Sequence, residues 1–225
     1  MFFRTAFLVM RKDLTVEVRS REILYTTLFF AVSCVLVFAF AFVKQGEVLG
    51  DAAAGILWIA ISFAGTLALG RTFERERHAE TLRALMLAPV ERAAIYVGKL
   101  LGILLLLFTA ELVLVPLVAL LFSAALFSRP VLLVGLLATG TLGFTAVGTL
   151  FAAMLVRARS RDVLLPVLLY PITIPVIIAG VRGTAALLQP TIDQPMVVMW
   201  LSLLFAFDAV FVTLSLWTFE PLMTD

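Results

Sequence analysis

Long apolar stretches, interrupted by short polar segments, run the length of this chain. They cover residues 23–43, 52–70, 100–127, 131–156, 163–181 and 196–219. Crossing the hydrocarbon core of a bilayer takes about 20 apolar residues in a helix. Hydrocarbon offers no partner to a backbone N–H or C=O, so a stretch of this kind pairs its own backbone as a helix. The pattern predicts an all-α polytopic membrane protein with six transmembrane helices, forming a single permease-like domain over residues 1–225. With 63% hydrophobic residues and a mean hydropathy of +1.12, spans and short connections use nearly all of the chain. No room is left for a separate soluble domain.

The polar segments alternate in positive charge. Lys and Arg number 5 before the first span, 6 over residues 71–99 and 3 over 157–161, against one each at Lys44, Arg129 and Arg182. One side of the membrane thus carries 14 and the other 3. Positive charge is retained in the cytoplasm, so both termini and the 71–99 segment are expected there, in a bacterial inner membrane. Ala39-Phe40-Ala41 fits the small-x-small site of a cleavable signal sequence. Asp13, Glu17 and Glu22 among the preceding basic residues, and an apolar stretch long enough to span, favour a retained helix. The formal net charge of +2 and the sorting of basic residues by side argue against a nucleic-acid partner.

Residues 1–22 show a helical period. Phe3, Phe7, Met10, Leu14 and Val18 recur at steps of three and four, with Arg4, Arg11, Lys12 and Arg19 mostly elsewhere. An apolar stripe with a basic remainder suits an interfacial helix lying on lipid headgroups. The 71–99 segment is far longer than a connection needs. It is dense in charge of both signs, then places Leu82, Leu85 and Met86 at i, i+3, i+4, and Pro89 stops that helix. A short charged helix with a small apolar patch suits a groove on another protein. The expected contact set is Glu74, Glu76, Glu80, Leu82, Leu85, Met86 and Pro89, with Arg157, Arg159 and Arg161 as a second, weaker cluster.

Inside the spans, Thr141, Thr145 and Thr149 form a stripe flanked by Gly140 and Gly148, which suits close helix packing or a pore lining. Pro166, Pro171 and Pro175 lie within ten residues of the fifth span and predict a kink or local break, a candidate hinge. Arg182–Pro195 reads as the longest loop on the sparsely charged side, with Ala185, Leu187 and Leu188 on a possible short helix. Glu111 and Asp208 are ionisable groups in hydrocarbon, where charge is costly; each is a proton-relay candidate or a buried hydrogen-bonding group. Cys34 is the only cysteine and His78 the only histidine, so catalytic and metal-ligating clusters built on them are excluded. The Gly98-Lys99 pair is not a phosphate loop: Ala93 stands where the motif needs its first glycine, and leucine follows the lysine. No nucleotide-binding motif is present, so the chain is expected not to be an enzyme and any ATP hydrolysis belongs to a separate subunit.

Glu74-Arg-Glu76, Glu80-Thr-Leu82, Leu85, Pro89 and Gly98-Lys99 resemble the coupling loop of type-2 ABC exporter permeases. The run from Gly140 to Phe151, Arg157-Ala-Arg-Ser-Arg161 and the proline-rich run from Leu164 to Pro175 resemble the CcmB family, the membrane subunits of a haem-exporter ABC complex in cytochrome c maturation. That resemblance implies a second copy of the chain, a CcmA-like ATPase on the cytoplasmic face, a CcmC–CcmD-like module alongside and a CcmE-like haem chaperone as client. It implies ATP in the partner subunit and haem as a transported or client-bound species, with no cofactor held tightly by this chain. Haem iron takes His, Met, Cys or Tyr, and only Met196 or Met199 is placed to serve on the far side. A permease for a lipid, drug or polysaccharide is the alternative, and an ion-coupled carrier using Glu111 and Asp208 a further one.

Overall fold

The computed structural model describes residues 2–44, 47–48, 52–78, 91–158, 160–189 and 193–222. Seven α-helices cover most of these residues: α1 (Phe2–Ser20), α2 (Glu22–Phe42), α3 (Ala52–His78), α4 (Arg92–Leu121), α5 (Pro130–Met154), α6 (Arg161–Leu188) and α7 (Gln194–Leu222), with short 3-10 turns at Leu126–Ser128 and Leu155–Arg157. The one extended feature is an antiparallel pairing of Val43 with Val48 and Lys44 with Glu47. Helices α2 to α7 are each long and apolar enough to cross a membrane, as the hydropathy pattern predicts. The chain is a multi-pass membrane protein.

Local chemistry sets the helix ends. Between α1 and α2 the chain turns on a single residue, Arg21, at φ +54°, whose N–H bonds the Glu17 carbonyl at 2.6 Å. Helix α4 closes with Ser123 at φ +49° and a bond from the Ala124 N–H back to the Ala119 carbonyl, a six-residue wrap that satisfies an orphan carbonyl. Pro130 opens α5, where its missing N–H costs nothing. The Asp193 carboxylate accepts from the Met196 N–H at 3.1 Å and starts α7.

Two expectations change. Helix α6 runs unbroken past Val181 to Leu188, so Ala185, Leu187 and Leu188 are its last turns and not a separate short helix. Nor is α6 interrupted at Pro166, Pro171 and Pro175, all of which lie inside it. Each proline removes one ladder bond and leaves those on either side, which suffices in a bundle whose other helices flank it. Similarly, α4 begins at Arg92, eight residues before its apolar stretch.

Helices α3 and α5 form the centre, while α2 and α7 keep much of their surface outward. The keystone is Trp58 of α3, 1% exposed, wedged between Gly140 of α5 and Gly180 of α6. Its indole N–H donates to the Thr184 hydroxyl at 2.9 Å. A Cβ at Gly140 would lie 2.1 Å from the ring, and one at Gly180 2.4 Å. The same device recurs where Gly148 receives Leu69 and Gly65 receives Phe144. Helix packing in lipid has little hydrophobic drive, so close backbone approach at small residues does the work. Gly140→Ala should therefore destabilise the protein by about 1–3 kcal/mol through overpacking. Gly55→Ala, where nothing lies within 4 Å, should be neutral or stabilising by up to about 1 kcal/mol. Thermal unfolding in detergent distinguishes the two.

Candidate functional site

Helix α1 brings its Ala6, Val9, Asp13 and Glu17 together on one face, about a quarter turn from the predicted apolar stripe. The stripe itself points outward: Phe3, Phe7 and Val18 are exposed. The inner face packs on the first turns of α4 at Gly98, whose Cα would carry a Cβ only 2.7 Å from the Ala6 carbonyl and from the Val9 Cβ. Any side chain at 98 would push α1 away.

Beside that contact lies an ion pair. Lys99 Nζ, 2% exposed, donates to Asp13 Oδ2 at 2.6 Å, while Lys12 approaches Asp13 Oδ1 at 2.9 Å. One helical turn on, Arg75 of α3 pairs with Glu17 Oε2 at 3.0 Å. The other Glu17 oxygen accepts from the Leu24 N–H at the start of α2, at 2.8 Å. Two carboxylates of one helix thus hold both helices that flank residues 79–90. Breaking such a pair on one side leaves a buried charge without its partner.

Glu74 stands half-buried near the end of α3, 4.0 Å from Arg71. The α3 backbone continues through Glu76 to His78. Glu80, Leu82, Leu85, Met86 and Pro89, the Glu76 and Arg157 side chains, and Arg159 lie outside the described residues. Arg161 is placed differently from the expectation. It is 5% exposed, and its Nη2 donates to the Gly70 carbonyl of α3 at 3.1 Å. Its charge faces α3 and not an outside surface, because it lies in the first turn of α6 where that helix leans on α3.

In the bundle interior, Glu111 and Asp208 do not meet in one polar cluster; each is buried against α5. Glu111 accepts from the Thr141 hydroxyl. Asp208 lies on Gly143, where a Cβ would come within 2.6 Å of Oδ1, and neither of its oxygens has a hydrogen-bond partner among the described residues. Thr141, Thr145 and Thr149 are wholly buried, with Thr145 donating back to the Thr141 carbonyl at 2.6 Å. Within this chain the stripe is packing, not a pore wall. Tyr96 closes the lower bundle: its hydroxyl donates to the Ala146 carbonyl at 2.9 Å, and its ring meets Phe219 at 5.2 Å.

The contacts of Asp13, Glu17, Arg75 and Trp58 were not anticipated from the sequence. The spacing of Asp13 and Glu17, one helical turn apart on an otherwise apolar and basic helix, was the available signal. Asp13→Asn takes away the carboxylate 2.6 Å from the buried Lys99 ammonium and should cost about 3–5 kcal/mol. Adding Lys99→Met removes the buried charge as well and should return most of that loss. Thermal unfolding of the single and double variants in detergent measures this recovery.

The family model described as "CcmB protein" matches residues 4–221. The chain is similar to "Heme exporter protein B" of Pseudomonas aeruginosa, 30% identical over 171 residues, which cover 76% of each chain. It is similar to "Heme exporter protein B" of Rhodobacter capsulatus, 30% identical over 172 residues, covering 76% of this chain and 78% of the relative. The match runs from the inner face of α1 through the clamp and the six spans into the end of α7, and on that extent the chain belongs to the CcmB family.

Proposed function

We propose that this chain is the membrane subunit of an ABC transporter complex acting in cytochrome c maturation, driven by a separate CcmA-like ATPase. The observation that carries this reading is the family match across residues 4–221, which takes in the whole helical bundle. The names of the two relatives supply haem as the transported species. Haem is then cargo, and ATP is bound and hydrolysed elsewhere.

Residues 79–90 are the point of contact with the ATPase in this reading. Leu82, Leu85 and Met86 enter a groove on that subunit, and Glu74, Glu76, Glu80 and Pro89 frame it. Because α3 and α4, which flank that segment, are both paired with α1, a push on it moves three helices together. Arg157 and Arg159 remain candidates for a second contact. Helix α6, with its three prolines, is the hinge that lets the bundle respond. Haem export through a pair of these subunits and ATP-driven release of a haem-loaded chaperone both fit that mechanics. The placement of Met196 and Met199 at the exposed start of α7, with no histidine in a span, supports force transmission over tight haem ligation.

The sidedness follows from charge: 14 basic residues lie on the side bearing α1 and residues 71–99, which is the cytoplasmic side of a bacterial inner membrane. The exposed Phe3, Phe7 and Val18 of α1 then enter the lipid, with Arg4 and Arg11 at the headgroups. A second copy of this chain, a CcmC–CcmD-like module and a CcmE-like chaperone complete the assembly.

Burying a leucine contributes about 1.5–3 kcal/mol to docking before ordering costs. Leu85→Asp should accordingly lower recovery of the ATPase with this chain by tenfold or more and abolish holo-cytochrome c, with membrane abundance unchanged. Full recovery of the ATPase together with normal maturation would overturn the reading.

A further inference from the structure

Between α3 and the start of α6 an open groove of about 370 Å³ combines polar and apolar walls. Arg71, Glu74 and Asp162 supply its charged part, and Leu67, Leu165 and Pro166 its apolar part. Arg71 directly follows the apolar stretch 52–70, and Asp162 directly precedes the stretch 163–181. The charged part therefore lies at one boundary of the membrane. Leu67, one turn before Arg71, and Leu165 and Pro166, one turn after Arg161 and Asp162, lie on its membrane side.

Arg161 joins the two walls. Its Nη2 donates to the Gly70 carbonyl at 3.1 Å, its Nε stands 3.7 Å from Asp162 Oδ1, and both of those residues line the groove. The guanidinium is 5% exposed, and its Nε and Nη1 have no hydrogen-bond partner among the described residues. It also lies in the first turn of a 28-residue helix, where the helix dipole disfavours a cation. A buried cation so placed calls for an anion at hydrogen-bonding distance. Asp162 does not supply it, because its side chain is 86% exposed and stands beyond hydrogen-bond reach. The planar fork of a guanidinium suits a phosphate.

A purely anionic ligand fits the rest of the groove poorly. Arg71 and Arg161 are matched there by Glu74 and Asp162, so the surroundings carry both signs. Glu74 is answered by Arg71 at 4.0 Å. Asp162, with its exposed side chain, is free to turn outward and accept from a ligand cation. A primary ammonium donates hydrogen bonds to such a carboxylate. A quaternary ammonium does not, and it is recognised by aromatic faces, whereas none of the described lining residues is aromatic. On the membrane side, Val163 and Val167 of α6 and Phe63 of α3 are exposed and offer apolar surface to acyl chains.

We propose that the α3–α6 groove binds the headgroup of a phospholipid that joins a phosphodiester to a primary ammonium, with the phosphate on the Arg161 guanidinium and the ammonium on Asp162. Arg71 adds a second positive charge beside the phosphate. The bound lipid braces α3 against the first turn of α6. The inference does not depend on what the transporter carries.

The test is native mass spectrometry of the full chain in detergent. Phosphatidylethanolamine, phosphatidylglycerol and phosphatidylcholine with identical acyl chains are added in turn. The expected result is one phosphatidylethanolamine retained per chain, about fivefold or more above either of the others. Asp162→Asn, at an exposed position that leaves the fold intact, should abolish that preference and leave phosphatidylglycerol retained at least as well as before. Arg161→Gln should lower retention of phosphatidylethanolamine about tenfold. Glu22→Gln, exposed at the start of α2, should change nothing. Equal retention of the three lipids, a preference for the anionic one, or a phosphatidylethanolamine preference that survives Asp162→Asn would each overturn the proposal. Displacement of the lipid by millimolar glycerophosphoethanolamine, which carries the headgroup without acyl chains, would assign the groove to a soluble phosphodiester and overturn it too.

Discussion

The end of the bundle that carries α1 depends on one buried ion pair, Lys99 with Asp13 at 2.6 Å. An ammonium 2% exposed at the start of a membrane helix is tolerable only with its anion beside it. That requirement fixes the rotation of α1, which in turn brings Glu17 to Arg75 and to the backbone of α2. The close approach is possible because residue 98 is glycine. Helices α2, α3 and α4 are thereby referred to a single helix lying against them. Hydrophobic burial could hold α1 in several rotations; paired charges hold it in one.

Above that clamp the bundle is assembled by shape. Trp58 between Gly140 and Gly180, Leu69 on Gly148 and Phe144 on Gly65 set the spacing of α3, α5 and α6. Polar groups inside are placed with the same economy: the Trp58 indole finds Thr184, Tyr96 finds the Ala146 carbonyl and Glu111 finds Thr141. Asp208 is the exception, with no partner among the described residues. A closely packed upper bundle with a hinge in α6 and a clamped lower end is suited to passing displacement upward.

The six spans and the helical period of residues 3–18 were legible because both are written as patterns of hydrophobicity, the strongest signal a membrane sequence carries. The inner face of α1 was not. Ala6 and Val9 are unremarkable beside Phe3 and Phe7, and Asp13 declares itself only when Lys99, 86 residues away, is brought to it. Gly98-Lys99 was recognisable as part of a familial loop, yet its physical meaning is a helix contact that spacing does not encode. The proline run suggested a break in the fifth span. Its helix continues because isolated proline defects cost only the bonds they remove, and it continues far enough to absorb residues that look like a loop. Arg161 looked like an outward basic residue, but the first turn of α6 rests on α3 and carries the guanidinium to the Gly70 carbonyl.

The central claim is that work done on residues 79–90 reaches the bundle through α1. The most direct measurement uses the double variant Asp13→Asn with Lys99→Met, in which this ion pair is gone and the buried ammonium with it. Membrane vesicles containing this chain and the ATPase proposed to drive it would be assayed for ATP hydrolysed per holo-cytochrome c formed. The account predicts that the ATPase stays bound and hydrolyses ATP while the ratio rises severalfold. An unchanged ratio, with the complex intact, would contradict it.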